Sequence, residues 1–139
     1  MNDLQSARQL LASGDYTCVL CRGDQIYTSN KRGVAPLLEL LDAGVELTDF
    51  SAADKVIGKA TAMLYRLLGV KAVYAGVISD IAVETLEAGG IHAQWESRVP
   101  HIINRTGDGR CPMETATALL DDPREALAAI RAKQAELRS

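Results

Sequence analysis

Apolar positions in the first third of the chain repeat with the spacings of a short helix, a hairpin and a second helix. Over residues 3–13 they fall three and four positions apart, which predicts an amphipathic helix that ends at Gly14. Two β-prone runs in "TCVLCRGDQIYTS" flank Gly23-Asp24, and this pattern predicts a β-hairpin. "RGVAPLLELLDAG" then predicts a helix with Pro36 in its first turn and a glycine after its last.

The most periodic segment is "FSAADKVIGKATAMLYRLLG", residues 50–69. Its apolar residues again fall three and four positions apart, and Gly69 follows the last of them, so the pattern predicts one long core helix. Lys55 and Lys59 would then stand in its first two turns. Because a helix start carries partial positive charge, two lysines there indicate an anionic group nearby.

The second half of the chain alternates strand and helix patterns. "VKAVYAGVI" is a nearly continuous β-prone run, typical of a strand covered on both faces, and Ser79 can cap the helix "DIAVETLEA" that follows. "IHAQWE" predicts a further strand, which implies a right-handed parallel crossover. Helices are predicted from Pro112 and after "DDPRE". The order of elements predicts a single domain over residues 1–139, a three-layer α/β/α sandwich with a mixed sheet.

Composition narrows the classes of partner. The 139 residues are 47% hydrophobic and carry a net charge of −3, without a basic stripe, so neither nucleic acid nor an acidic membrane is an expected partner. The first fifteen residues lack an unbroken apolar stretch, so neither a signal peptide nor a membrane anchor is predicted and a cytoplasmic protein is expected. Three cysteines without an export signal favour free thiols over a disulfide framework.

On the predicted helix over residues 50–69, one narrow stripe lies opposite the apolar face and consists of Ser51, Lys55, Lys59, Ala62 and Arg66. This stripe is either a solvated surface or the cationic side of a ligand site. The small residue Gly58 favours the site, because it lets a ligand or another backbone come close. Asp54 lies three positions after Ser51, as in a capping box, so its ordinary role would be to hold the helix start.

A second candidate stretch is "GDGRCPMETA". Pro112 suits the first position of a helix, which places Cys111 at its cap and Glu114 at its third position. A helix start together with Arg110 would favour the thiolate form of Cys111, the form that attacks electrophiles. The alternative is a buried cysteine whose small side chain merely fits the turn.

The cysteines and histidines do not predict a metal site. Cys18 and Cys21 lie three positions apart in a predicted strand, so their side chains point to opposite faces of the sheet. His92 and His101 fall in distant segments without the spacing of zinc ligands. Nothing in the sequence brings Cys111 and His101 together as a nucleophilic pair, although that pair stays open. We therefore expect no metal and no cofactor.

The stretches "IYTSNKRGVAPLLELL", "FSAADKVIGKATAMLYRLLGVKAVYAGVIS" and "IINRTGDGRCPMETA" resemble the DUF1893 domain family, over about Tyr16 to Lys133. That family resembles a divergent branch of the cytidine deaminase-like fold, whose zinc ligands and catalytic glutamate stand at two helix starts. The equivalent positions would be 58–60 and 78–82, and neither contains a ligand set. The resemblance thus implies the fold, does not support zinc-dependent deamination, and places Lys55 or Lys59 beside the old pocket.

Three hypotheses about function follow. In the first, the chain binds a small anionic metabolite of nucleotide-like chemistry, for which Lys59 and a helix start supply positive charge. Around the ligand would stand Ser51, Asp54, Lys55, Gly58, Ser79 and Arg110. In the second, it is a metal-free enzyme in which Lys59 binds substrate or adjusts a neighbouring acid, while Cys111 or Glu114 performs nucleophilic or acid/base work. In the third, it is a structural protein that forms a homodimer through its leucine-rich helices.

Overall fold

A five-stranded mixed sheet organises the fold in a computed structural model of the chain, which describes residues 2–103 and 111–138. The strands are β1 (Cys18–Arg22), β2 (Gln25–Ser29), β3 (Ser51–Ile57), β4 (Ala72–Ser79) and β5 (His92–Val99). Their order across the sheet is β2-β1-β3-β4-β5; β1 runs antiparallel to both β2 and β3, whereas β3, β4 and β5 run parallel.

Helices cover both faces of the sheet and complete three layers. On one face the first helix packs against β1 and β3, where Ala7, Leu11, Val19, Cys21 and Ala53 form a small apolar cluster. The main core lies on the other face, between the sheet and the remaining helices. The helices are α1 (Asp3–Ser13), α2 (Ala35–Asp42), α3 (Lys59–Leu68), α4 (Asp80–Ala88), α5 (Pro112–Thr117) and α6 (Pro123–Arg138).

Most predicted elements are confirmed, as is the three-layer α/β arrangement with a mixed sheet. The hairpin turns at Gly23-Asp24, and Ser79 caps α4 by accepting a hydrogen bond from the backbone N–H of Ala82 at 3.2 Å. The β4–α4–β5 unit is the predicted parallel crossover, with β5 continuing to Val99. Cys18 and Cys21 lie in different apolar clusters on opposite faces of the sheet, as the strand spacing predicts.

The prediction of one helix over residues 50–69 is wrong. Its first half is the strand β3, and helix α3 starts only at Lys59. The stripe of Ser51, Lys55 and Lys59 therefore does not exist, and Asp54 does not cap a helix. The physical reason is tertiary context, because this segment hydrogen-bonds to β1 on one side and to β4 on the other. Its alanines are helix formers, but here they lie in the apolar clusters on both faces of the sheet, where helices pack closely.

Gly76 of β4 lies against the backbone of the neighbouring parallel strand β3. A Cβ atom at Gly76 would lie 2.7 Å from the carbonyl oxygen of Lys55, a separation that real Cβ atoms do not adopt. The glycine thus permits close pairing of β3 and β4 near their carboxyl ends. These ends are followed directly by α3 and α4, so the pairing fixes the position of two helix starts.

Candidate functional site

Two neighbouring cavities open beside the helix starts that follow β3 and β4. The larger, of about 420 Å³, is called here the Ser79 cavity. The smaller, of about 290 Å³, is called the Asp54 cavity, and Glu114 and Ile102 contribute to the walls of both. The Ser79 cavity is lined by Lys59, Ser79, Asp80, Ile81, Glu84, Pro100, His101, Ile102, Glu114 and Ala118. The Asp54 cavity is lined by Thr17, Cys18, Arg32, Gly33, Val34, Pro36, Asp54, Lys55, Val56, Gly58, Ala60, Thr61, Ile102, Cys111, Met113 and Glu114.

The start of α3 is closed by a carboxylate from another helix. Glu114 on α5 accepts hydrogen bonds from the backbone N–H groups of Lys59 at 2.8 Å and Ala60 at 3.1 Å. Gly58, the N-cap residue of α3, supplies no side-chain cap, and a Cβ atom there would collide with the Glu114 carboxylate. The small residue noted in the sequence therefore accommodates a group of the chain itself, at the positive end of the helix.

The side chain of Lys59 is also bound to a backbone group of the chain. Its side chain is only 4% exposed, and its Nζ donates a hydrogen bond to the carbonyl oxygen of Ala118 at 2.9 Å. The ammonium group thus satisfies a carbonyl at the end of α5, while the carboxylate of Glu114 offsets the positive end of α3. A lysine at this helix start is tolerated because a carboxylate of α5 lies at the same start.

The Ser79 cavity is predominantly acidic. Asp80 forms an ion pair with Arg98 at 2.7 Å, and Glu84 and Glu114 are also in the wall. Lys59 is the lysine of this wall, and one of its donors is committed to Ala118. The distribution of charge in this cavity does not favour an anion.

The Asp54 cavity has the opposite charge pattern at its rim. Arg32 and Lys55 are exposed and line it, and α2 begins beside it at Val34 without a side-chain cap. The rest of the wall is largely apolar, with contributions from Val56, Met113 and other aliphatic residues. A hollow with an apolar wall and two cations at its edge suits a molecule with a ring and an anionic group.

Asp54 is the buried carboxylate in the wall of this cavity, 7% exposed. Its Oδ2 accepts a hydrogen bond from the hydroxyl of Tyr65 at 2.7 Å, and its Oδ1 receives a long contact of 3.4 Å from the N–H of Val56. The sulfur of Cys18 lies 3.4 Å from the same Tyr65 hydroxyl. Asp54, Tyr65 and Cys18 thus form a buried polar cluster contributed by β3, α3 and β1.

Burial controls the protonation of this cluster. Removal from water raises the pKa of Asp54 from 3.8 to about 7, against the opposing effect of the hydrogen bond from Tyr65. Burial, reinforced by the charge of Asp54, also raises the pKa of Tyr65 and of Cys18 well above their ordinary values. Asp54 is therefore the member of the cluster that gains and loses a proton near neutral pH.

The structure gathers only some of the sequence-predicted site residues. Asp54, Lys55, Gly58, Cys111 and Glu114 line the Asp54 cavity. The Ser79 cavity takes in Lys59 and Ser79, again with Glu114. Ser51, at the opposite end of β3, lines neither cavity. Arg110 lies outside the described residues.

Sequence reasoning missed two residues of the Asp54 cavity region, Arg32 and Tyr65. Tyr65 is fully buried among the apolar positions of α3. A tyrosine in an apolar stripe signals a buried partner for its hydroxyl, and that signal was available in the sequence. Arg32 lies in the loop before α2, and no sequence pattern pairs it with Lys55.

Two classes of feature are not found in the part of the chain that the structure describes. Residues 2–103 and 111–138 contain no group of three or more histidine, cysteine, aspartate or glutamate side chains that could hold a metal ion. Within the same residues, no helix has the length and apolar character needed to span a bilayer.

Comparison with known proteins matches nearly the whole chain. A family model described as "Domain of unknown function (DUF1893)" covers residues 6–134. The crystal structure of a DUF1893 family protein (TM1506) from Thermotoga maritima has a TM-score of 0.87 and 26% sequence identity, over 95% of this chain and 90% of that one. No curated protein matches the sequence.

Two deaminases show a weaker likeness. A dCMP deaminase from the cyanophage S-TIM5 has a TM-score of 0.46 and 9% identity, over 68% of this chain and 94% of that one. A diaminohydroxyphosphoribosylaminopyrimidine deaminase/5-amino-6-(5-phosphoribosylamino)uracil reductase from Thermotoga maritima has a TM-score of 0.42 and 14% identity, over 67% of this chain and 35% of that one. Likeness at this level carries no argument about activity.

Proposed function

Because this chain belongs to the DUF1893 family, a domain of unknown function, we propose its function from the site alone: it binds a small anionic metabolite of nucleotide-like chemistry in the Asp54 cavity. The observation that carries the proposal is the pair of exposed cations, Arg32 and Lys55, at the edge of a largely apolar hollow. The cations supply attraction for an anionic group, and the apolar wall supplies contact area for a ring.

The other charges near the cavity are consistent with an anion at this edge. The carboxylate of Glu114 is already bound by two N–H groups of α3, which offsets its charge. The pKa of Asp54 is about 7, so this carboxyl is not fully ionised at neutral pH. The start of α2 adds the partial positive charge of a helix N-terminus, an effect of about 0.3–1 kcal/mol for a neighbouring anion.

The contacts in the structure give less support to the other two hypotheses. In the enzyme hypothesis, Lys59 and Glu114 would do chemistry, but both are bound to backbone groups at the junction of α3 and α5. In the dimer hypothesis, the leucine-rich helices would meet a second copy, but Leu37, Leu38 and Leu64 are buried in the core of this chain. Binding at the Asp54 cavity requires no change in any of these contacts.

Thermal unfolding with added anions tests the proposal. Inorganic phosphate, ribose 5-phosphate and a set of nucleoside monophosphates are compared on the wild-type chain, Arg32→Ala and Lys55→Ala. A compound present at about 100 times its Kd stabilises the folded state by about 2.7 kcal/mol, which raises the Tm by several degrees. Both substitutions should remove most of that rise.

Lys71→Ala is the matched control, since Lys71 is also exposed and lines neither cavity. This variant should keep the full ligand-dependent rise in Tm. The proposal is wrong if none of the anions raises the Tm, or if Arg32→Ala and Lys55→Ala respond as Lys71→Ala does.

A further inference from the structure

Besides the two cations at its edge, the Asp54 cavity contains a buried hydrogen-bond acceptor. Asp54 lies in the wall of the cavity, and no described lysine, arginine or histidine forms an ion pair with it. A carboxylate has about four acceptor positions. The hydroxyl of Tyr65 donates to Oδ2, and the N–H of Val56 meets Oδ1 over 3.4 Å, which is beyond the usual range of an N–H···O bond. The N–H of Lys55 and the thiol of Cys18 also lie close enough to lower the pKa of Asp54.

A buried carboxyl group with unused acceptor capacity costs stability unless something in the cavity satisfies it. The other donors near this carboxyl are weak or already engaged, because the N–H of Lys55 donates to the carbonyl oxygen of Thr17 at 3.1 Å. Cys18 lies 3.4 Å from the Tyr65 hydroxyl and offers only a weak S–H donor, and the hydroxyl has its single proton directed to Oδ2. An N–H or NH₂ group on a bound molecule would supply Asp54 with a further donor from the side of the cavity.

The geometry points to Asp54 as the residue that selects the ligand of this cavity, by accepting a hydrogen bond from an N–H or NH₂ group on a flat ring whose anionic group lies toward Arg32 and Lys55. This inference rests on the proposed binding function and deepens it. The cations attract any small anion, whereas Asp54 distinguishes a ring with a nitrogen donor from a ring without one. A site built to accept a hydrogen bond rejects an analogue that lacks the donor, because the buried acceptor is then left unpaired.

The proton on Asp54 makes this selection dependent on pH. Only the ionised carboxylate accepts at both oxygens, and the pKa of Asp54 is about 7. The facing groups on β1 and α3, Cys18 and Tyr65, stay protonated, since the pKa of each is raised. Across the cavity stand Glu114 and Cys111 of the α5 region, with Lys55 and Arg32 at the rim.

Calorimetric titration with paired nucleotides tests the selection. AMP, GMP, CMP and UMP carry ring donors, whereas purine riboside 5′-monophosphate has the same phosphate and sugar with no N–H on its ring. At least one donor-bearing nucleotide should bind the wild-type chain about tenfold or more tightly than purine riboside 5′-monophosphate. Asp54→Asn should remove that preference, so that the donor-bearing nucleotide and purine riboside 5′-monophosphate bind the variant with similar affinity.

The pH dependence gives a second readout that needs no variant. For a pKa near 7, the ionised fraction of Asp54 rises about tenfold between about pH 6 and about pH 8. The affinity for the preferred nucleotide should rise by a similar factor beyond the change seen for ribose 5-phosphate, which reports the titration of the phosphate itself. This measurement keeps the inference testable if Asp54→Asn does not fold.

The outcomes separate the two proposals. If ribose 5-phosphate and every nucleotide bind equally well, with no excess pH dependence, the role of Asp54 is wrong and the anion site stands. If a preference exists but survives in folded Asp54→Asn, the role of Asp54 is also wrong. If none of the anions binds, the proposed function itself is wrong and the inference falls with it.

Discussion

Asp54 carries the clearest energetic consequence of any single residue described above. Its carboxyl has a pKa of about 7 in the folded chain, raised from 3.8 chiefly by burial. Between these two values the folded state binds a proton that the unfolded state has lost, so the free energy of unfolding falls as the pH rises through this range. The contribution is fully present below about pH 4 and lost above about pH 7.

Asp54→Asn should abolish this pH dependence. An asparagine can still accept the hydrogen bond of Tyr65 and never ionises. At about pH 8 the variant should therefore be more stable than the wild type, by an amount that the change in pKa limits to about 4 kcal/mol. Urea unfolding at about pH 5 and about pH 8 measures the difference.

Asp15→Asn serves as the control, because Asp15 is an exposed carboxylate outside both cavities. Its pH dependence should match that of the wild type. Equal pH dependence in the wild type and Asp54→Asn would show that Asp54 ionises in the folded chain much as it does in the unfolded one.

At the scale of elements, α5 is fastened to the start of α3 by two contacts in opposite directions. Glu114 of α5 accepts from the first N–H groups of α3, and Lys59 of α3 donates to the carbonyl at the end of α5. Helix α5 has only six residues, too few to be stable alone. Its position therefore depends on these contacts and on packing against α6.

A double-mutant cycle on Gly58 and Glu114 tests this junction. Gly58→Ala places a methyl group against the Glu114 carboxylate and should cost about 1–3 kcal/mol. Glu114→Ala removes the cap of α3 and should cost about 1 kcal/mol. In the double variant the methyl group meets no carboxylate, so the combined loss should be clearly smaller than the sum. Additive losses in urea unfolding would contradict the observed contact.

The junction also shows why part of the site lay beyond sequence reasoning. Glu114 and Lys59 are separated by 55 positions, and no local pattern reports which distant carboxylate caps a helix. The strand β3 was missed for a related reason. Its residues Ala52, Ala53 and Val56 fit helical spacing as well as strand spacing, and only the neighbouring strands β1 and β4 decide between the two.

At the scale of the whole molecule, the sheet fixes the relative positions of the first residues of α3 and α4. β3 and β4 are its central parallel pair, and Gly76 lets them approach at the carbonyl of Lys55. Gly76→Ala should destabilise the entire domain by about 1–3 kcal/mol, since the clash is with backbone that cannot rotate away. The change should appear as a lower midpoint of global urea unfolding.

Gly89→Ala is the matched control for this substitution. The atoms nearest to a Cβ atom at Gly89 all belong to the side chain of Arg66, which is flexible and can move. Gly89→Ala should therefore cost much less than Gly76→Ala. Equal losses would show that the loss of a glycine, and not the close approach of the two strands, sets the cost.

The overall architecture was predictable because it depends on local signals. The hairpin at Gly23-Asp24, the cap at Ser79 and the buried run of β4 each specify their own element, and the crossover rule joins them. The position of Arg32 and Lys55 at the edge of the same cavity was not predictable. It depends on how the loop before α2 lies over the end of β3, a relation that only the folded chain defines.

Glu114 separates the Ser79 cavity from the Asp54 cavity, because it lies in the wall of both. A ligand that displaced this carboxylate in one cavity would alter the shape and charge of the other cavity. Such linkage is reciprocal, so the second ligand would change the affinity for the first by the same factor. The concentration of one ligand would then change the fraction of the protein that is bound to the other, through the side chain of Glu114 alone.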